Sequence, residues 1–267
     1  MNTNLIGRWR NEYGSILDIQ SQSPRGALQG IYTSETGASG VYIVNGWSPD
    51  VELSNQPVAI SVFWRPTNST NVDPSWTWVS VMNGVLFLDT PDLQPVIQFL
   101  HGMVASTPFE AVQVERPGVY TESLTFRRAP SGGVLPASQC DTPRGGRTAK
   151  RAVVTLTNIE PNSGYRQIDF TYGADGNCIG SVMQCPGQEC QIQGIIDPTP
   201  PGNMQSLALT GLHRTGRTYT VGLGGFIDLN ASRATLDLFE SDAVRYANKY
   251  AGVAMSQERF TVSIRNL

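Results

Sequence analysis

Short runs of β-branched and aromatic residues recur along almost the whole chain, separated by clusters of Gly, Asn, Ser and Pro. No other feature restricts the fold as much. In the first half the runs are SILDIQS, GALQGIYTS, GVYIVNGW, PVAISVFWR, SWTWVSVMNG, VLFLD, PVIQFL and ESLTFRR. Short strands at regular spacing, joined by turn residues, belong to all-β sandwiches and barrels. Period-two alternation supports the reading. In PVAISVFWR, Val58, Ile60 and Val62 share one parity, while Ala59, Ser61, Phe63 and Arg65 share the other, so the two sets face opposite sides of a strand.

Residues 127–150, RRAPSGGVLPASQCDTPRGGRTAK, interrupt the pattern with Pro, Gly, Ser and basic residues. The expected organisation is a β domain over 1–128, a linker over 129–150 and a second β domain over 151–267. A flexible linker of that length reaches about 25 Å, enough to lay one small barrel beside another. After it the strand-like runs resume as AVVTLTN, YRQIDFTYG, NCIGSVMQC, CQIQGII, SLALTGLHR, RTYTVGLGGFIDL, ATLDLF and ERFTVSI. The halves also align weakly, GALQGIYTSETG at 26–37 with GNCIGSVMQCPG at 176–187 and ESLTFRR at 122–128 with ERFTVSI at 258–264. An internal duplication is expected, in which strand order is kept and side chains have drifted.

With 40% hydrophobic and 15% charged residues, the chain has material for a packed core and too little charge to read as disordered. A net charge of −3 argues against a phosphate-binding surface, so nucleic acid is not an expected partner. No apolar run is long enough for a membrane helix, and the opening MNTNLIGRWRNEYG lacks a leader core. No membrane association is expected. The expected location is the cytoplasm if the sequence is complete, or outside the cell if a leader has been removed. Cys140, Cys178, Cys185 and Cys190 all fall in the second half. CPGQEC either closes a small disulfide loop or holds two reduced thiols. His101 and His213, the only histidines, do not stand at ligand spacing from this cluster, so neither a metal nor a cofactor is expected.

The stretch GRWRNEYGSILDI at 7–19, followed by GALQGIYTSETG, VFWR at 62–65, SWTW at 75–78 and IQFLHG at 97–102, resembles the avidin and streptavidin family in order and spacing over about 120 residues. The resemblance implies two tandem eight-stranded antiparallel up-and-down β-barrels and a biotin-type pocket in the first. By resemblance, Asn11, Ser15 and Tyr32 hold a ureido oxygen and Ser34 accepts from a ureido N–H. Trp64, Trp78 and Phe99 form the aromatic slot, Ser75 and Thr77 are polar contacts on the SWTW strand, and Ser39 replaces the family's carboxylate-holding group. The chemistry is coherent in itself. A cyclic urea has one polarised carbonyl oxygen and two N–H donors, so an apolar barrel mouth needs donors converging on one point and acceptors beside them. Taken singly, each residue has a plainer role: Asn11 as a turn cap, Ser15 facing water, Tyr32 and the tryptophans as core.

The pattern departs in places. The last-strand Asp or Asn of the family falls at Leu124, and Phe109 is the nearest counterpart of the Trp that a neighbouring subunit contributes. In the second half Val182 and Gln184 stand where Tyr32 and Ser34 do, Tyr165 opposite Ser15, and Leu212 opposite Trp64, so the urea donors are gone. Tyr219, Tyr246, Tyr250 and Glu258 are left to line a second pocket. The expected function is non-catalytic binding of biotin or a biotin-like ligand in the first barrel. The alternative is an isomerase or cyclase acting on a small apolar metabolite, although the sequence shows no nucleophile, base and orienter set. Two chains could pair as a homodimer with four barrels.

Overall fold

The computed structural model describes residues 5–34, 40–49, 55–67, 72–130, 152–160, 163–183, 189–213, 218–243 and 252–267. Most of the linker, including Cys140, lies outside them, as does Cys185. The first half forms β1 (Gly7–Asn11), β2 (Ile16–Gln22), β3 (Ala27–Ser34), β4 (Gly40–Trp47), β5 (Asn55–Phe63), β6 (Val79–Phe87), β7 (Val96–Ala105) and β8 (Gly118–Arg128). The second forms β9 (Ala152–Asn158), β10 (Gln167–Tyr172), β11 (Asn177–Met183), β12 (Glu189–Ile196), β13 (Met204–His213), β14 (Tyr219–Asp228), β15 (Arg233–Asp242) and β16 (Val253–Asn266). Each set of eight closes into an antiparallel barrel in which neighbours in sequence pair with one another. Pairing of β1 with β8 (Asn11 opposite Phe126) and of β9 with β16 (Asn158 opposite Phe260) seals the two seams. Closure leaves no unpaired strand edge.

The first barrel is filled by Trp9, Leu17, Tyr42, Ile60 and Phe126, all essentially inaccessible to water. Trp9 donates its indole N–H to the Leu5 carbonyl at 2.8 Å, and the Arg128 guanidinium lies 4.0 Å from its ring centre. That contact sets a cation over an aromatic face. The second barrel repeats the plan with Phe170, Leu209, Leu223 and Phe260.

All nine residues of β5 are buried, which a strand with one face in water would not show. Val58, Ile60 and Val62 point into the first barrel. The opposite face is covered by the second barrel. Phe63, Val79, Val81 and Val104 pack there against Ile195, Ala208 and Phe239 in a separate apolar cluster. Both parities of PVAISVFWR are therefore used, one for a barrel interior and one for the junction between barrels. The junction is tight: a Cβ on Gly222 or Gly224 would come within 2.6 Å of the Val81 side chain, so only glycine permits this approach.

Two local expectations fail. SWTW is not a strand: Pro74–Thr77 is a single 3₁₀ turn, opened by Asp73, whose side chain accepts from the Ser75 N–H. Pro at the first position and a capping Asp outweigh the strand preference of Trp and Thr. Asn83-Gly84 does not divide SWTWVSVMNG from VLFLD either, because both residues lie inside β6. Asn83 reaches into the second barrel, donating to the Thr220 and Phe239 carbonyls at 3.1 and 2.6 Å and accepting from the Thr220 hydroxyl at 2.7 Å. A Cβ at Gly84 would run into the Gln98 carbonyl of β7. The dipeptide serves packing rather than turning.

Candidate ligand pocket

The turn between β1 and β2 sets the polar end of the first barrel. Asn11 closes β1, and its side-chain oxygen accepts the backbone N–H groups of Tyr13 and Ser15 at 3.1 and 2.9 Å. The turn thus occupies the amide oxygen and fixes which way the amide points. The nitrogen faces the Tyr32 hydroxyl at 3.5 Å. Asn11 is a turn cap and an inward-facing donor at once. Ser15 is buried and lines the same cavity as Tyr32, whose hydroxyl its side chain favours in the ionised form. Burial is the main cause that pushes the Tyr32 hydroxyl above its ordinary pKa, so it remains a neutral O–H group at neutral pH. Ser34 follows two residues later on the same face of β3 and is also buried.

These four residues line one cavity of about 570 Å³ together with Trp64 and Trp78, a size suited to a small organic ligand. Trp64 meets Tyr42 and Tyr32 edge-on, with centroids 5.0 and 5.9 Å apart. Trp78 meets Phe109 edge-on at 6.0 Å and donates its indole N–H to Thr107 at 2.9 Å. Both indoles are thereby held as walls with few rotational alternatives. Phe99 does not line the cavity; it packs edge-on against Phe126 at 5.8 Å, in the core. Nor do Ser75 and Thr77. The Ser75 hydroxyl donates to Asp73 at 2.5 Å, and the Thr77 hydroxyl lies 2.7 Å from that of Ser106. Ser39 lies outside the described residues. A larger groove of about 680 Å³ runs between the barrels past Pro117, Phe226, Asp228 and Arg233, but it has no converging donor set.

The remaining wall holds Leu124, where the family's last-strand Asp or Asn falls, and residues the sequence reading missed: Tyr13, Met103, Val112, Gln113, His101 and Glu122. His101 on β7 stands directly opposite Glu122 on β8. Its Nδ1 lies 2.9 Å from a Glu122 carboxylate oxygen and its Nε2 lies 2.8 Å from the Ser80 hydroxyl oxygen, which also accepts the Trp64 indole N–H at 2.7 Å. The hydrogen bond from His101 is the largest cause holding the Glu122 carboxyl below the usual carboxylate range. Writing IQFLHG antiparallel to ESLTF would have shown this pair. Contrary to the sequence reading, Ser80, His101 and Glu122 have the spacing of a nucleophile, base and orienter. Ser80, however, is wholly buried, is not a lining residue, and its oxygen is engaged by Trp64. The arrangement holds Glu122 in place rather than presenting a nucleophile.

The second barrel has the equivalent corner with opposite polarity. Asn158 closes β9 as Asn11 closes β1, but its amide donates to Glu258 at 2.7 Å, and the Ser163 hydroxyl donates to the same carboxylate oxygen at 2.8 Å. Val182, buried, is the sixth residue of β11 as Tyr32 is of β3. Tyr165 bonds to Glu240, and Tyr219 stacks on His213 with centroids 4.6 Å apart. In this corner the donors are taken up by carboxylates. Gln184, Tyr246 and Tyr250 lie outside the described residues.

The sequence pattern of the Avidin family matches residues 1–88, from β1 through β6. Over residues 1–88 the chain is similar to the avidin family. The match takes in the turn, the hairpin and the tryptophan-bearing segment that build the polar and aromatic walls of the avidin-like barrel. Xenavidin is similar to the chain at 21% identity over 48% of this chain and 100% of that one, with a TM-score of 0.37. The biotin binding protein from chicken is similar at 18% identity over 47% of this chain and 96% of that one, also with a TM-score of 0.37. No curated protein matches the sequence. Among the described residues no helix is long and apolar enough to cross a membrane, and no group of His, Cys, Asp and Glu is arranged to hold a metal ion.

Proposed function

We propose that the avidin-like first barrel binds biotin, or a ligand with the same cyclic urea, without converting it. The convergence of Asn11, Ser15 and Tyr32 at one end of an aromatic-walled cavity carries this reading. Three neutral donors meeting at a buried point suit one strongly polarised carbonyl oxygen, and a ligand lacking it would leave them unpaired at a cost of about 1–3 kcal/mol each. The indoles and Tyr42 supply the apolar slot for the rest of the ligand.

In this reading the second barrel binds no urea, because its corner is closed by Glu258 and Glu240. Titration calorimetry of the whole chain with biotin tests both halves of the proposal. The expected result is one ligand per chain. No heat and no shift of the melting curve at millimolar biotin would refute the first half, since even weak binding to the folded state stabilises it by mass action. Two ligands per chain would refute the second.

The paired His101 and Glu122 favour a second reading, in which the same cavity moves a proton during an isomerisation or cyclisation. Mass spectrometry of the co-purified ligand separates the two: a ureido compound supports binding, and an unrelated metabolite supports the enzyme. Assembly of two chains into four barrels is a further part of the proposal. Light scattering that gives the mass of a single chain would remove it.

A further inference from the structure

A cyclic urea brings two N–H donors with its carbonyl, and we infer that Glu122 accepts from one of them, as a carboxylate fixed from behind by His101, Ser80 and Trp64. The inference rests on the cyclic-urea reading of the first barrel. Glu122 and Leu124 are two residues apart on β8 and both line the cavity. Leu124 has nothing with which to accept a hydrogen bond. Glu122 supplies that chemistry from the neighbouring position on the same face.

The direction of the chain of bonds follows from what each group is able to do. An indole nitrogen only donates, so the Ser80 oxygen accepts from Trp64. An ionised carboxylate only accepts, so His101 carries its hydrogen on Nδ1 and gives it to Glu122. The other ring nitrogen, Nε2, lies 2.8 Å from the Ser80 hydroxyl oxygen, which ties Ser80 to the same path. Every polar atom along the path from Trp64 to Glu122 is satisfied, and the path ties the aromatic wall of the pocket to a half-exposed carboxylate at its edge. His101 takes one carboxylate oxygen; the second oxygen retains acceptor capacity. Glu122 and the donors Asn11, Ser15 and Tyr32 line the same cavity.

A ligand completing this site presents a carbonyl to Asn11, Ser15 and Tyr32 and an N–H to Glu122. Cyclic carbonates and ureas methylated on the facing nitrogen are rejected. Glu122 is therefore a specificity-determining residue, and His101 is a positioning residue.

The test titrates biotin and its two ureido N-methyl isomers against the full chain, Glu122→Gln and His101→Ala, with the ligand-free melting curve of each variant as the check on folding. Loss of a hydrogen bond to a charged acceptor weakens biotin by about 10- to 100-fold in Glu122→Gln. The loss disappears with the isomer methylated at the nitrogen facing Glu122 and persists with the other. His101→Ala shows the same dependence on isomer with a smaller loss. Equal losses with biotin and both isomers would reduce Glu122 to a structural role and overturn the inference. So would no loss at all, with biotin binding by the unmodified chain left standing. Failure of the unmodified chain to bind biotin would instead overturn the urea reading, and this inference with it.

Discussion

Asn83 is the polar pin between the two barrels, and replacing it with Ala measures how strongly they are joined. Its side chain is wholly buried and makes three hydrogen bonds to Thr220 and Phe239 of the second barrel, at 2.6 to 3.1 Å. A buried bond contributes about 1 kcal/mol net, so losing all three costs about 3 kcal/mol. For a chain of 267 residues unfolding as one unit, the entropy of unfolding gives a shift of about 2 °C per kcal/mol, hence a melting temperature lower by about 6 °C. Asn83→Asp is expected to lose more, because a carboxylate would face two carbonyl oxygens where the amide now donates. Calorimetric melting and urea unfolding of the whole chain read both effects. A loss within 1 °C for Asn83→Ala, or a wild-type curve with two separate transitions of which only one moves, would refute the reasoning that the barrels form one cooperative body.

Three further outcomes are expected. Phe126→Ala removes a fully buried ring that meets Phe99 and Tyr32 edge-on at 5.8 and 6.4 Å; it should cost about 3–5 kcal/mol in urea unfolding, and a cost under about 1 kcal/mol would contradict this core assignment. Burial raises the Asp197 carboxyl above its ordinary pKa, whereas Glu122 lies below its own. Stability from Asp197 is thus present below its unfolded pKa and lost as pH rises through the folded value, while stability from Glu122 is present above its unfolded pKa and lost as pH falls through the folded value. In melting curves taken against pH, Asp197→Asn should gain on wild type as pH rises through the carboxylate range, and Glu122→Gln should lose on it; the same sign for both would contradict the assignment. Cys178 and Cys190 are free and buried, with burial raising both thiols and the Cys190 thiol pushed up to about 11, so peptide-resolved alkylation of the native protein should leave both unmodified until it is denatured.

Much of this architecture could be read along the chain. Closure into barrels follows from strands short enough, and turns frequent enough, that each strand pairs with its neighbour. Both parities of PVAISVFWR were visible, but their partners were not, because Phe63 and Ala59 face a barrel that starts some ninety residues later. The same distance hid Asn83: with Gly84 it reads locally as a turn, and only the Thr220 and Phe239 carbonyls show why it belongs in a strand. SWTW misled because side-chain preference pointed one way and the Asp73-Pro74 cap the other. At the site, Asn11, Ser15, Tyr32 and Ser34 lie on two adjacent hairpins, within reach of spacing arguments. Glu122 and His101 are 21 residues apart and meet only through the β7–β8 register. In the second barrel, Glu258 takes up Asn158 and Ser163 from 100 and 95 residues away, so its changed polarity was invisible beyond the missing Tyr.

A crystal of the whole chain grown with biotin tests the central claim most directly. The account predicts a ligand in the first barrel alone, its ureido oxygen within hydrogen-bonding distance of the Asn11 amide nitrogen and the Ser15 and Tyr32 hydroxyls, and its bicyclic ring between Trp64 and Trp78. A ligand seated in the second barrel, or one in the first whose ureido oxygen points away from those three groups, would contradict it.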